Sequence, residues 1–129
     1  MILIDTSAWI EYIRGKNQEI CDKVDNALEK QIVIIGDLIY CEIMQGLYNP
    51  KERTRISGLL LSLPQFDMVG FDLAEKSAAN YRNLRKKGIT IRKTIDVLIG
   101  TFCSEHDIEL IHDDKDFERM KQTIHLKTL

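Results

Sequence analysis

The sequence has little that would tie it to a membrane, a disulfide scaffold or a polyanion through bulk charge. No run approaches the roughly 18 apolar residues of a membrane span. The 3 cysteines, Cys21, Cys41 and Cys103, are odd in number, widely spaced and without a CxxC pair. That argues against structural disulfides and a thiolate zinc site, and for a reducing cytoplasm with the cysteines as core filler. Only 2 prolines and 7 glycines punctuate 129 residues, with no repeat, low-complexity tract or Pro/Gly-rich linker. Residues 1–129 therefore read as a single domain. The formal net charge of −2 means that any nucleic-acid binding must come from a local basic patch. A GxSxG elbow and a Walker loop are both missing, and 3 histidines are too few and scattered for a metal-free, two-histidine nuclease. The opening MILID lacks a basic leader, and Asp5 breaks its apolar run too early for a signal peptide.

What is there is an alternation of short apolar runs with longer amphipathic ones. Ile2-Leu3-Ile4 reads as a buried strand, followed by Thr6 and Ser7, which can cap a helix to about Arg14 that Gly15 ends. Ile20, Val24 and Leu28 form a helical stripe within residues 17–30. The β-branched run Ile32–Ile35 reads as a second buried strand, after which Gly36 and Asp37 open a helix through about Leu47. A helix over 51–63 closes at Pro64. A third strand is expected near Asp67–Gly70, with Asp72 capping a helix over 73–87. Helices over 94–105 and 116–121 bracket a strand over 109–112, and Ile124–Leu126 reads as a last strand. Strands separated by helices call for right-handed crossovers and a parallel sheet covered on both faces. In such α/β sheets the ligand site lies beyond the carboxyl ends of the strands, at the switch point. Asp5 ends the first strand, and Asp114 lies just beyond the fourth.

Several carboxylates occupy apolar surroundings. Asp5 ends an apolar strand, where a helix cap is the ordinary explanation. Glu42 is the only charge in Leu38-Ile39-Tyr40-Cys41-Glu42-Ile43-Met44, on a helix too hydrophobic to lie on a surface, although one side must still face solvent. Asp96 lies in Ile95-Asp96-Val97-Leu98-Ile99. A helix-start Asp favours the macrodipole, yet an ionised carboxylate among large aliphatics needs a partner. His112-Asp113-Asp114-Lys115-Asp116-Phe117 puts three acids within four positions, which repel unless a cation sits among them. There Asp116 is also a candidate helix cap, Asp113 reads as solvated and Phe117 as a core anchor. Oxygen ligands without His or Cys suit Mg²⁺ or Mn²⁺ better than zinc, and such ions serve phosphodiester chemistry.

Four blocks in order, LIDTSAWI at 3–10, CEIMQG at 41–46, TIDVLIG at 94–100 and HDDKDFERM at 112–120, resemble a PIN domain of the VapC-type toxins of bacterial and archaeal toxin–antitoxin pairs. The resemblance runs over essentially the whole chain. It implies a three-layer α/β/α sandwich with a central parallel sheet and an Mg²⁺- or Mn²⁺-dependent endoribonuclease. It matches Asp5, Glu42, Asp96 and Asp114 to the four principal catalytic acids, with metal held by Asp5, Asp96, Asp114 and the further acid Asp116. Thr6 or Ser7 matches a supporting hydroxyl. His112 departs from the small hydroxyl or amide residue common at its position. The resemblance also implies a cognate antitoxin that covers the pocket, and a homodimer, for which Leu38, Ile39, Tyr48 and Leu59–Leu61 offer apolar surface.

Arg82-Asn83-Leu84-Arg85-Lys86-Lys87-Gly88 with Arg92-Lys93 carries six cations just before Asp96. A basic helix end leading to an acidic pocket could guide an RNA backbone, with Arg85 and Arg92 the foremost candidates, though cations also complement a helix C-terminus. Trp9, Tyr12 and Tyr81 could stack bases, and core packing explains Trp9 better. Two rival readings are an inactive PIN-like module that binds RNA or protein, and a phosphoacceptor receiver domain. The second needs an acidic pair after strand one and an Asp ending strand three, where Asp67 is instead expected to begin that strand.

Overall fold

The computed structural model describes all 129 residues. Four strands alternate with seven helices: β1 Ile2–Ile4, α1 Thr6–Arg14, α2 Gln18–Lys30, β2 Val33–Gly36, α3 Asp37–Gln45, α4 Pro50–Leu61, β3 Gln65–Phe66, α5 Gly70–Lys86, α6 Thr94–Glu105, β4 Glu109–Ile111 and α7 Lys115–Ile124. The strands form one parallel sheet in the order β3-β2-β1-β4.

This order dictates the layers. The chain steps one way from β1 to β2 to β3, then returns past both to β4, so right-handed crossovers put α1–α4 on one face and α5 and α6 on the other. The packing agrees. Helix α1 meets α2 and α3, and α3 meets α4, while α5, α6 and α7 meet one another. The result is a three-layer α/β/α sandwich. Every residue of β1 is fully buried, because both faces of a central parallel strand are covered. Thirty buried apolar residues form one core cluster, with Trp9 and Phe117 its largest fully buried side chains. At the end of β2 a Cβ on Gly36 would lie 2.1 Å from the Met68 sulfur. Only glycine lets the segment after β3 close over that strand end.

Several local expectations are corrected. Strand β2 runs Val33–Gly36, leaving Ile32 60% exposed. Strand β3 is the exposed pair Gln65–Phe66, earlier than Asp67–Gly70, since an edge strand two residues long carries no burial pattern to read. Asp67 therefore follows its strand and does not begin it. Helix α5 starts at Gly70, and Asp72 sits inside its first turn paired with Lys76 at 3.3 Å, not at its cap. Helix α3 stops at Gln45, and α4 starts at Pro50 behind an Asn49 cap and ends at Leu61. Helix α7 runs on to Ile124, burying Phe117, Met120 and Ile124. His125, at φ 56°, then turns the chain, so the expected strand over Ile124–Leu126 gives way to a single parallel bridge between Thr128 and Leu110. Of the cap candidates at α1, Asp5 fills the role and Thr6 and Ser7 lie inside the helix, while at α7 the cap is Asp114 in place of Asp116. Cys41 is exposed, so only Cys103 is buried core filler. Ile39 and Leu60 are fully buried, which leaves Tyr48, Leu59 and Leu61 as the exposed apolar residues of that face.

Candidate functional site

The switch point of this sheet lies between β1 and β4, whose neighbours connect in opposite directions. Their carboxyl ends carry Asp5 and the segment His112–Asp114. They are stitched together by backbone and side chain: the Asp5 N–H donates to the Ile111 carbonyl at 2.9 Å, and Ser7 spans the gap. The Ser7 hydroxyl donates to Asp5 Oδ2 at 2.6 Å and accepts the Asp113 N–H at 2.9 Å, while the Ser7 N–H donates to the same Oδ2 at 3.0 Å. Asp5 is thus a helix cap with one oxygen fully engaged. Its Oδ1 is buried without a partner, and burial pushes its pKa up against the opposing Ser7 hydrogen bonds.

Asp96 enters from the first turn of α6. Only 4% exposed, it too has a partnerless buried oxygen, Oδ2. Burial raises its pKa to about 7, reinforced by the negative charges of Asp5, Asp114 and Glu42 and opposed by Lys93. Glu42 comes from α3, half-buried, with Oε1 accepting from the Thr6 hydroxyl at 2.8 Å. Burial raises its pKa, the Thr6 bond lowers it, and the Asp5 charge raises it. Asp114 is fixed by the Asp116 N–H, which donates to its Oδ1 at 2.9 Å. The four principal acids, drawn from β1, α3, α6 and the end of β4, therefore share one electrostatic neighbourhood. No three His, Cys, Asp or Glu side chains meet as a ready-formed coordination cluster. Their mutual repulsion instead disfavours ionisation, with Asp5 and Asp114 acting on Asp96 and Asp5 on Glu42. An all-oxygen set with two orphaned buried oxygens is chemically matched to a hard divalent cation.

Asp116 behaves differently. It is 7% exposed, and its Oδ1 accepts from Arg119 at 3.3 Å. The same guanidinium nitrogen donates to the Thr90 carbonyl at 2.9 Å. His112 accepts the Asp114 N–H on Nδ1 at 3.2 Å and faces Glu118 with Nε2 at 2.9 Å, so its ring orders the turn after β4. Arg85 is exposed and donates to the Tyr81 hydroxyl at 3.3 Å. Arg92 is exposed in the segment between α5 and α6. Tyr12 donates to Asp25 at 2.6 Å, and Trp9 is core. Lys93, the last cation of the basic run, is the residue before α6, and its charge acts on Glu42 and Asp96. Arg119 is a cation that the sequence reading missed: it stands three residues after Asp116, a spacing that puts both on one helix face.

A family model, PIN domain, matches residues 2–122. The chain is 30% identical to a VapC ribonuclease of Mycobacterium bovis and to ribonuclease VapC11 of Mycobacterium tuberculosis, each alignment covering 98% of this chain and 96% of the relative. Its fold is similar to that of VapBC2 from Rickettsia felis bound to a promoter DNA fragment (TM-score 0.78, 16% identity, 100% of this chain and 98% of that one). It is also similar to VapBC-1 from nontypeable Haemophilus influenzae (TM-score 0.75, 20% identity, 100% and 97%). The chain belongs to the PIN-domain family and is a member of its VapC type.

Proposed function

We propose that this protein is a metal-dependent endoribonuclease, the toxin of a toxin–antitoxin pair, hydrolysing RNA phosphodiester bonds with an activated water. One observation carries the reading. Asp5 and Asp96 each bury a carboxylate oxygen with no partner at the switch point of the sheet, an arrangement that is unfavourable unless a cation completes it. In support, the relatives aligned over nearly the full chain are named ribonucleases.

In this reading Asp5, Asp96 and Asp114 hold Mg²⁺ or Mn²⁺ and Glu42 completes the catalytic set, with Asp116 a helper already paired to Arg119. A cation held by these residues would supply an activated water and charge stabilisation at the phosphate and the leaving oxygen. The rest is done by the chain itself. Ser7 fixes Asp5 Oδ2 so that Oδ1 is left free, and Thr6 holds one oxygen of Glu42. Lys93 offsets part of the negative charge at Glu42 and Asp96. Arg85 and Arg92 take RNA phosphates as they approach. A protein antitoxin is the inhibitory partner, a reading supported by the similarity of this fold to VapBC structures. A second copy of the chain is a further partner.

Receiver-type phosphotransfer fits less well. Asp67 does follow β3, but β2 separates β3 from β1, whereas receiver sheets place their first and third strands side by side. The inactive-scaffold reading gains nothing from a site that keeps all its acids. The test is RNA cleavage in Mg²⁺ by the wild type, Asp5→Asn and Asp96→Asn, with circular dichroism as the folding control. The two variants should lose cleavage by about 10²–10³-fold or more while staying folded, and EDTA should silence the wild type. Wild-type cleavage by either variant would sink the assignment.

A further inference from the structure

A second polar cavity lies away from the partnerless acids, between the end of α5 and α7. Its volume is ≈ 480 Å³, and it is lined by Lys87, Ile89, Glu118, Arg119, Lys121, Gln122 and Thr123. Sequence separates Lys87 and Ile89 from the other five by some thirty positions, and the packing of α5 on α7 brings them together. Ile89 is the one hydrophobic residue among those lining the cavity. Three cations stand against one anion, Glu118, and one of the three, Lys121, is paired with it. Glu118 accepts from Thr128 and pairs with His112 and Lys121, and these contacts hold its pKa below the usual carboxylate range. Arg119 is not a loose surface arginine. Its Nη1 is held by the Thr90 carbonyl and Asp116, so the guanidinium is fixed at the cavity wall.

From Arg119 the contacts lead straight to the acids: Arg119 to Asp116, and the Asp116 N–H to Asp114. We infer that this cleft is a phosphate-binding subsite for single-stranded RNA, holding backbone that flanks the bond cleaved at the acidic pocket. The inference rests on the ribonuclease reading and adds to it where the strand runs. Bulk electrostatics favour such an arrangement, because a chain of net charge −2 attracts a polyanion only where its cations are concentrated. Lysine and arginine with neighbouring amide and hydroxyl donors suit phosphate oxygens. A protein partner would ask for more apolar wall than Ile89 provides.

The test uses full-length protein carrying Asp96→Asn to stop cleavage, with a fluorescein-labelled single-stranded RNA oligonucleotide read by anisotropy across a salt series. Lys87→Gln changes an exposed residue and Lys121→Gln a half-buried one paired with Glu118, and both leave Arg119 and Asp116 in place. Each should weaken binding and lower the slope of log K against log salt by about 0.7. In the otherwise wild-type enzyme they should raise KM for the long RNA while kcat stays near its original value. An unchanged salt slope in both variants overturns the subsite and leaves the ribonuclease reading intact. Absence of RNA binding and cleavage in the parent protein overturns both. Retained RNA binding alongside lost binding of poly-glutamate gives the cleft to an acidic protein and overturns the RNA assignment.

Discussion

Helices α6 and α7 pack on each other, and each buries an aspartate in its first turn: Asp96 at 4% exposure and Asp116 at 7%. Both gain from the helix dipole. They differ in what faces them. Asp116 has Arg119 on the same face of its own helix. Asp96 feels three other carboxylates and one lysine, has an oxygen without a partner, and has a pKa driven to about 7 by burial and then by Asp5 and Asp114. Burial alone therefore does not mark a reactive acid in this fold. A buried acid whose compensating charge the chain supplies is structural. One whose compensating charge must come from outside is where a ligand belongs.

The largest effect that separates the two is catalytic. Asp96→Asn should reduce RNA cleavage by about 10²–10³-fold or more, whereas Asp116→Asn, which alters an acid already paired, should cost about 10–100-fold. The measurement is kcat/KM on one RNA at saturating Mg²⁺. Equal losses would erase the distinction between the two aspartates and make Asp116 a full member of the site.

Much of this arrangement was legible because burial leaves a mark on composition. Strand β1 and the apolar turns around Glu42 and Asp96 stood out as apolar runs interrupted by single charges, and the charges of Asp5, Glu42 and Asp114 all act on Asp96. What the pattern could not carry was anything set by one hydrogen bond or by an edge. Asp5, Thr6 and Ser7 are all competent caps, and only the path of the chain decides that Asp5 takes the Ser7 N–H. Asp114 and Asp116 pose the same choice at α7. Gln65–Phe66 pairs with β2 through its backbone while both side chains stay exposed, so no periodicity announces it. Ile124–Leu126 has strand-like composition, yet Ile124 completes the buried stripe of α7. The partnering of Asp116 was readable in principle from its i,i+3 spacing to Arg119, while the reach of Lys93 toward Glu42 and Asp96 depends on tertiary placement.

A smaller effect appears in stability against pH. For Asp96 the folded-state pKa of about 7 lies above its unfolded value of 3.8, so the folded protein binds the proton more tightly. That contribution is fully present below about pH 4 and is lost as pH rises through about 7. Asp5 and Glu42 are raised as well and act in the same direction. In EDTA the melting temperature of the wild type should therefore fall more steeply than that of Asp96→Asn over this range. Added Mg²⁺ near neutral pH should restore the wild type and leave the variant nearly unmoved. Parallel melting curves for the two proteins would show that Asp96 is already compensated within the chain, as Asp116 is.

The smallest effect comes from removing the cation that makes Asp116 ordinary. In Arg119→Gln the buried carboxylate keeps its place at the start of α7 but loses its only opposite charge, along with the tether to the Thr90 carbonyl. Arg119 is itself about half exposed, so solvent screens the pair, and the expected loss is about 1 kcal/mol, well short of the cost of stripping a fully buried pair. Denaturant unfolding in EDTA reads this loss, and a double-mutant cycle with Asp116→Asn assigns it. If charge compensation is what sets the two aspartates apart, Arg119→Gln should be destabilising beside Asp116 and close to neutral in the Asp116→Asn background. Equal cost in both backgrounds would mean that Arg119 matters for its bond to Thr90, and that Asp116 tolerates burial for some reason other than its partner.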